Sequence, residues 1–292
     1  MDTQSAIISH YPHDLNVDLH MHSTASDGEL APAQLVSRAH ANGVCMMALT
    51  DHDTIAGQAE AKAAAESLGI HYISGVEISV SWGGETLHIV GLNFDADHPD
   101  LSQALSAIQS GRAERARLMA QGLIDHGLPD LLEAAKTHAR NPELIGRTHF
   151  GRAMVQAGIC SEINEVFQRY LTPGKPGYTP HQWASLTQAV SVIRAAGGTA
   201  VLAHPARYRL NAMAQWALIQ EFKALGGLGI EVVTGSHTQQ EARRYQQVAV
   251  EHGLFASRGS DFHGPDESRI DVGCVPPLPD ATRPVWHGWG RC

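Results

Sequence analysis

Two histidines lie two residues apart near the start of the chain, within the segment "DLHMHSTASDGEL" (18–30). Residues i and i+2 of an extended strand project from the same face, so His20 and His22 can point at a single ion. Asp27 follows in the adjoining loop, from which its carboxylate can fold back over the same strand end. Imidazoles and carboxylates are ligands of divalent transition metals. The segment taken alone is equally compatible with an ordinary polar turn.

The same residue types recur where other predicted strands end. They are His52 in "LTDHD", Glu77 in "GVEIS", His88 in "TLHIV", His204 in "VLAHP", and Asp261 with His263 in "GSDFH". Ligands collect at the carboxyl edge of α/β sheets. Isolated histidines are more often plain surface or core residues, but convergence from several strands predicts a metal site. Six histidines and three carboxylates exceed the needs of one tetrahedral ion. They indicate two or three ions about 3.5–4 Å apart.

The segments that carry these residues alternate between strand-like and helix-like patterns. Strand-like runs include "VCMMALTDHD", "IHYISGVEISV", "ETLHIVGLNF", "TAVLAHPARY", "LGIEVVT" and "LFASRGSDFH", and helical segments separate most of them. This alternation predicts a mainly parallel sheet with right-handed crossovers. It does not distinguish an open sheet from a closed barrel.

The stretch from about 100 to 180 departs from this rhythm. It contains consecutive helical patterns, from "LSQALSAIQSGRAERARLMAQGLIDHG" to "SEINEVFQRYL", and ends in the Pro- and Gly-rich loop "TPGKPGYTP". We therefore predict an α/β body in two parts, 14–98 and 181–292, with a helical insertion at 99–180 that acts as a lid.

Composition restricts the class of protein. The 292 residues are 43% hydrophobic and 17% charged, as in soluble globular domains. No apolar run approaches the roughly 18 residues that cross a bilayer, and the N-terminus lacks an export signal, so we expect a cytoplasmic protein. The four separated cysteines, Cys45, Cys160, Cys274 and Cys292, are predicted to be free thiols. A net charge of −9 argues against a broad duplex-DNA surface.

The ordered motifs resemble the four signatures of the polymerase and histidinol phosphatase (PHP) family. They are H-x-H at His20 and His22, "TDHD" around His52, "AHP" at His204, and D-x-H at Asp261 and His263. The resemblance covers nearly the whole chain and implies a distorted (β/α)7 barrel with a di- or trinuclear metal site. The metal ligands that it implies are His20, His22, Asp27, His52, Glu77, His88, His204, Asp261 and His263.

Further segments are similar to the stand-alone enzymes of this family. "IGRTHFGRAMVQAG", "YLTPGKPGYTP" and "GIEVVTGSH" look like members that include the 3′,5′-nucleotide bisphosphate phosphatases, and related members trim RNA from its 5′ end. In "GRTHF", Thr148 stands where relatives often carry proline. We expect this departure to affect loop rigidity and not chemistry.

The resemblance implies hydrolysis of the 3′-phosphate of nucleoside 3′,5′-bisphosphates to a nucleoside 5′-monophosphate and phosphate. Three divalent ions would outweigh three carboxylates in charge, which suits a phosphate dianion. A metal-activated hydroxide would attack phosphorus in line, without a phosphoenzyme. Mn²⁺ is favoured by the resemblance, while Fe²⁺ and Zn²⁺ also suit these ligands.

The second phosphate of such a substrate needs its own cationic partners. Arginine and lysine suit this role, and the candidates are Arg147, Lys175 and Arg207, with Arg152 and Tyr178 as weaker ones. Asp53 and His237 are candidates for protonating the leaving group or for orienting the metal ligands. By contrast, Arg112, Arg115 and Arg117 share a predicted helix with Glu114 and are interpreted as a solvated face.

Three other functions stay open at this point. The first is 5′-to-3′ exonuclease action on short 5′-phosphorylated oligonucleotides, and the second is a histidinol-phosphate phosphatase. The third is a metal-binding regulatory module without turnover, which a complete ligand set beside basic residues disfavours. Overall acidity favours a small nucleotide over a long nucleic acid, which would need an extended basic track. The sequence gives no sign of a membrane or of an obligate protein partner.

Overall fold

A seven-stranded sheet forms the body of the molecule. The computed structural model describes residues 15–139, 144–181 and 183–289. The strands are neighbours in chain order. Their bounds are Val17–Asp18 (β1), Met46–Leu49 (β2), His71–Trp82 (β3), Glu85–Leu92 (β4), Thr199–Leu202 (β5), Gly229–Thr234 (β6) and Phe255–Gly259 (β7). All lie within segments that the sequence predicts to be extended.

The sheet curls into a nearly closed barrel. The Leu19 amide donates to the Arg258 carbonyl at 3.1 Å, and a parallel bridge joins Met21 to Phe262, so β1 lies beside β7. This resolves the choice between open sheet and barrel, and confirms the distorted (β/α)7 barrel.

One strand runs against the others. β4 pairs antiparallel with both β3 and β5, whereas the remaining pairs are parallel. The cause is the connection before it: Gly83 and Gly84 adopt φ of 57° and 85° and form a two-residue turn, which joins only antiparallel strands.

Helices surround the barrel and form most of the connections between its strands. Those that follow the strands are α1 (Pro32–Ala41), α2 (Gln58–Ser67), α8 (Leu186–Ala195), α9 (Ala212–Ala224) and α10 (Gln239–His252). The helix α10 illustrates their local origin, because the Thr238 side chain caps its N-terminus and Gly253 ends it with φ of 64°. The main core is aliphatic and includes Val76, Ile89 and Val232.

A separate group of helices lies between β4 and β5. It contains α3 (Pro99–Ser110), α4 (Arg112–Asp125), α5 (Leu132–Thr137), α6 (Arg147–Gln156), α7 (Ile163–Val166) and a π-helical turn (Phe167–Leu171). Leu123, Phe150 and Met154 belong to an apolar cluster of their own there. The proposed division at residues 99 and 180 stays a prediction.

The cysteines correct one expectation. Cys45 is disulfide-bonded, whereas Cys160 and Cys274 are free, so the prediction of four free thiols was wrong. Spacing along a chain does not reveal which distant residues the fold brings together. Cys292 lies outside the described residues.

Among the described residues, none of the helices combines the length and apolarity needed to cross a bilayer.

The contact between β1 and β7, the barrel seam, leaves no room for a side chain at Gly259. A Cβ on Gly259 would lie 2.3 Å from the His20 Cβ and 2.6 Å from the His20 backbone nitrogen, so Gly259→Ala must push β1 and β7 apart. We expect a loss of about 1–3 kcal/mol in the free energy of unfolding, measured by urea denaturation. Gly151→Ala in α6 is the control, because its new Cβ would meet atoms no closer than 3.5 Å. Equal stability of the two variants would contradict the tight seam.

Candidate metal centre

The nine predicted ligands converge at one edge of the barrel. His20 and His22 follow β1, His52 follows β2, His204 follows β5, and Asp261 and His263 follow β7. His88 reaches the same edge for a different reason from the one predicted. It lies in the first half of β4 and not at its carboxyl end, and only the antiparallel direction of β4 brings it there.

Three overlapping groups of side chains have ligand atoms within 4.8 Å of one another. Site 1 contains His22, Asp27, His52 and His263, site 2 contains His20, His22, Glu77 and Asp261, and site 3 contains His52, Glu77 and His88. His204 lies next to site 3, with its Nε2 3.0 Å from Glu77 Oε1 and 3.3 Å from His88 Nδ1. The shared residues place the three sites side by side.

Several buried atoms of these ligands make no well-aligned hydrogen bond, although some lie close to other ligand atoms of the site. They are His20 Nε2, both ring nitrogens of His22, His52 Nδ1, Glu77 Oε2 and His204 Nδ1. Buried polar atoms without partners cost free energy unless something binds them. Imidazole and carboxylate atoms together suit divalent transition metals, so this donor set fits two or three such ions.

The ligands are strongly coupled electrostatically. Burial opposes ionisation of Glu77, but the surrounding His88, His20 and His52 outweigh it and hold the pKa of its carboxyl well below the usual range. Burial likewise disfavours the imidazolium of His52, yet the charges of Glu77 and Asp27 raise its pKa to about 9. Burial and the neighbouring His263 and His52 lower the pKa of His22 to about 3. The carboxylates therefore stay ionised and attract cations.

Glu231 on β6 supports two of the histidines and was missed by the sequence reasoning. Its Oε1 lies 2.8 Å from His20 Nδ1, and its Oε2 accepts the His204 backbone N–H at 2.6 Å. A proton on His20 Nδ1 leaves Nε2 free to face site 2. The second bond stabilises His204 in an unusual backbone conformation with φ of 25°. In the sequence, the one feature that marks Glu231 is that it is a single acidic residue within the apolar run "GIEVV".

Asp51 supports the loop that follows β1. It accepts hydrogen bonds from the Ser23 amide at 2.8 Å and from the Ser26 hydroxyl at 2.6 Å. These bonds fasten the loop that carries Asp27.

A cavity opens directly above the metal ligands, and arginines line it. Its walls include Asp27, His52, His88, Arg112, Arg115, Arg147, Thr148, Phe167, Tyr178, Trp183, His204, Arg207, Asp261 and His263. The guanidinium carbons of Arg112 and Arg115 lie 4.7 and 5.2 Å from the centre of the Trp183 ring. That of Arg147 lies 5.6 Å from the Phe167 ring centre.

The interpretation of α4 as a solvated face was wrong for two of its three arginines. Arg112 and Arg115 are each only 7% exposed, and Arg112 forms an ion pair with Asp53. Arg117 is exposed and pairs with Glu114 at 2.8 Å, as expected. A charge pattern along a helix does not show which of its faces another segment covers, and here Trp183 covers Arg112 and Arg115.

The other predicted substrate residues divide into two sets. Arg147, Tyr178 and Arg207 line the cavity, and Arg207 also pairs with Asp261 at 2.7 Å. Four others are not among the cavity-lining residues of the described chain. Lys175 is exposed, Arg152 pairs with Glu267 at 2.6 Å, buried Asp53 accepts the Ser79 amide at 2.7 Å, and His237 Nδ1 donates to the Val232 carbonyl at 3.0 Å.

Comparison with known proteins places the chain in a class. The PHP domain matches residues 18–235, and the chain belongs to this family. It is 49% identical to the 3′,5′-nucleoside bisphosphate phosphatase of Chromobacterium violaceum, over 93% of this chain and 95% of that protein. It is 41% identical to the 5′-3′ exoribonuclease Rnm of Escherichia coli, over 93% of each.

A solved structure agrees with this placement. An amidohydrolase from Chromobacterium violaceum with bound sulfate and no metal superposes with a TM-score of 0.91 at 49% identity, over 93% of this chain and 95% of that one.

The site electrostatics predict distinct protonation states in the metal-free protein. With a pKa raised to about 9, His52 stays charged at pH 7.5, whereas His22, with a pKa near 3, is neutral. The charge on His52 stabilises the fold below its ordinary pKa of 6.5, and this contribution is lost as the pH rises through about 9. NMR titration of the imidazole rings in EDTA, with His52→Gln for assignment, measures both values. Titration of His52 near 6.5 would refute the account.

Proposed function

We propose that this protein is a metal-dependent phosphatase that removes the 3′-phosphate from nucleoside 3′,5′-bisphosphates. The observation that carries the proposal is the adjacency of a metal-binding cluster and a cationic cavity. The cluster would attract phosphate once it holds divalent ions, and the arginine-lined cavity directly above it attracts anions by its own charge. A substrate with two phosphates on one ribose can occupy both. The identity with the bisphosphate phosphatase of Chromobacterium violaceum supports this choice.

Divalent ions would be held by the eight residues of sites 1 to 3 and by His204. When bound, they supply Lewis-acid charge to the phosphoryl oxygens and lower the pKa of water to about 7. We propose two or three Mn²⁺ ions: mixed imidazole and carboxylate ligands suit Mn²⁺, Fe²⁺ and Zn²⁺, and the resemblance to the PHP family favours Mn²⁺. The carboxylates of Asp27, Glu77 and Asp261 would offset part of the charge of the ions. We also propose a cytoplasmic location.

The second phosphate would bind among the arginines. Burial, together with the neighbouring charges of Arg147 and Arg112, lowers the pKa of Arg115 to about 9. An anion among these groups relieves their mutual repulsion and offsets the free-energy cost of burying their charges. Trp183 and Phe167 hold the guanidinium groups in place by cation–π contact. These arginines therefore bind and orient the substrate while the opposite phosphate reacts.

A second candidate is 5′-3′ exoribonuclease action. The identity with the Escherichia coli exoribonuclease supports it, and the arginine cavity suits a 5′-phosphorylated RNA end as well as a mononucleotide. The net charge of −9 favours the smaller substrate.

Metal removal tests the proposed chemistry. We expect EDTA-treated protein to release no phosphate from adenosine 3′,5′-bisphosphate and Mn²⁺ to restore release. The same assay compares a 5′-phosphorylated oligonucleotide and histidinol phosphate, and we expect the bisphosphate to give the highest kcat/KM. Activity that persists in EDTA would overturn metal dependence. A higher kcat/KM on the oligonucleotide would make the exoribonuclease the primary function.

Loss of one arginine tests the second-phosphate site. Arg147→Met removes charged hydrogen bonds worth about 1.5–3 kcal/mol, so kcat/KM for the bisphosphate should fall about 10- to 100-fold, mainly through KM. The rate on adenosine 3′-monophosphate, which has no second phosphate, should change less than about threefold. Arg117→Met is the matched control, because that side chain is exposed on α4. Equal losses of kcat/KM on both substrates would show that Arg147 does not bind the second phosphate.

A further inference from the structure

Thr148 on α6 contacts a proposed metal ligand. Its hydroxyl donates to Asp27 Oδ2 at 3.0 Å, although the sequence led us to expect an effect on loop rigidity alone. Thr148 lies in the first turn of α6, within the helical region between β4 and β5, whereas Asp27 lies in the loop after β1. The bond therefore joins the insertion to the metal centre.

The contact orients the carboxylate. With Oδ2 held by Thr148, Oδ1 faces the imidazoles of site 1, at 3.7 Å from His22 Nδ1 and 3.6 Å from His263 Nε2. A β-branched threonine on a helix has few side-chain rotamers, so it is a rigid donor. Asp27 itself lies in a loop of turns outside any strand, where the neighbouring Ser26 hydroxyl donates to its Oδ1 at the longer distance of 3.3 Å.

The same helix also holds the backbone of Asp27. Arg152 Nη2 donates to the Asp27 carbonyl at 2.6 Å, and the Arg152 guanidinium forms a two-bond pair with Glu267 at 2.6 and 2.8 Å. The pair with Glu267 fixes the Arg152 side chain in the position from which it contacts the loop. Two residues of α6, four positions apart, therefore hydrogen-bond to Asp27: Thr148 to its side chain and Arg152 to its main-chain carbonyl.

We propose that Thr148 is a positioning residue that tunes the metal affinity of site 1 through Asp27. The inference rests on the proposed role of Asp27 as a metal ligand. Groups that hydrogen-bond a metal ligand fix its orientation, and their loss costs about tenfold or more in metal affinity. Thr148 lines the cavity, but its hydroxyl donates to Asp27, so we expect its loss to act on metal binding and kcat and not on recognition of the second phosphate.

The experiment measures Mn²⁺ binding to metal-free protein, without substrate, from the EPR signal of the free ion. Thr148→Val removes the hydroxyl and keeps the shape, Thr148→Ser keeps the hydroxyl, and Thr148→Ala provides a second hydroxyl-free variant. Thr137→Val is the matched control, because the Thr137 hydroxyl donates to the Ala134 carbonyl of its own helix. Thermal unfolding in EDTA reports the folding of each variant.

We expect one binding step to weaken about tenfold in Thr148→Val and Thr148→Ala, with the other steps within twofold of wild type. Thr148→Ser and Thr137→Val should match wild type. Wild-type affinity in both hydroxyl-free variants would overturn the inference, and so would a serine variant as weak as valine. If the wild-type protein itself bound no Mn²⁺, the proposed function would fail instead, so the two failures are distinguishable.

Discussion

Glu77 is fully buried on β3, and five imidazole rings approach its two carboxylate oxygens at distances between 2.8 and 3.3 Å. An isolated buried carboxylate costs several kcal/mol, so this one requires positive charge around it. Its backbone also organises the neighbouring loop, because Glu77 accepts the Asp53 amide at 2.8 Å and donates to the Asp51 carbonyl at 3.2 Å. These two bonds place His52 opposite Glu77. The other ligands are arranged around this centre.

The barrel and the helices between β4 and β5 are joined at the site. The helix α6 contributes Arg147 to the cavity, Thr148 to the Asp27 carboxylate and Arg152 to the Asp27 backbone. One helix thus contacts both the cavity and a proposed metal ligand. Substitutions in α6 are therefore expected to change the cavity through Arg147 and the metal centre through Thr148 or Arg152.

Much of this arrangement was predictable from local patterns, since strand signals and short His and Asp spacings are encoded in consecutive residues. The seven strands lie where apolar runs predicted them, and the candidate ligands lie on one edge. What the sequence did not reveal depends on distant packing. In the sequence, Arg112 and Arg115 have the pattern of a solvated helix face, but in the fold Trp183 covers them. Glu231 is a single acidic residue within an apolar strand, so its role is not visible in the pattern. The direction of β4, the disulfide at Cys45 and the bond from Thr148 to Asp27 likewise appear only in three dimensions.

Glu77 is proposed to lie at the centre of a multinuclear metal site beneath the arginine-lined cavity. Anomalous diffraction at the manganese edge, from crystals soaked in Mn²⁺ and inorganic phosphate, tests this arrangement most directly. The account predicts two or three anomalous peaks about 3.5–4 Å apart, at least one of them bound by Glu77, with phosphate between the ions and the arginines. A single peak, or peaks outside the reach of Glu77, would contradict it.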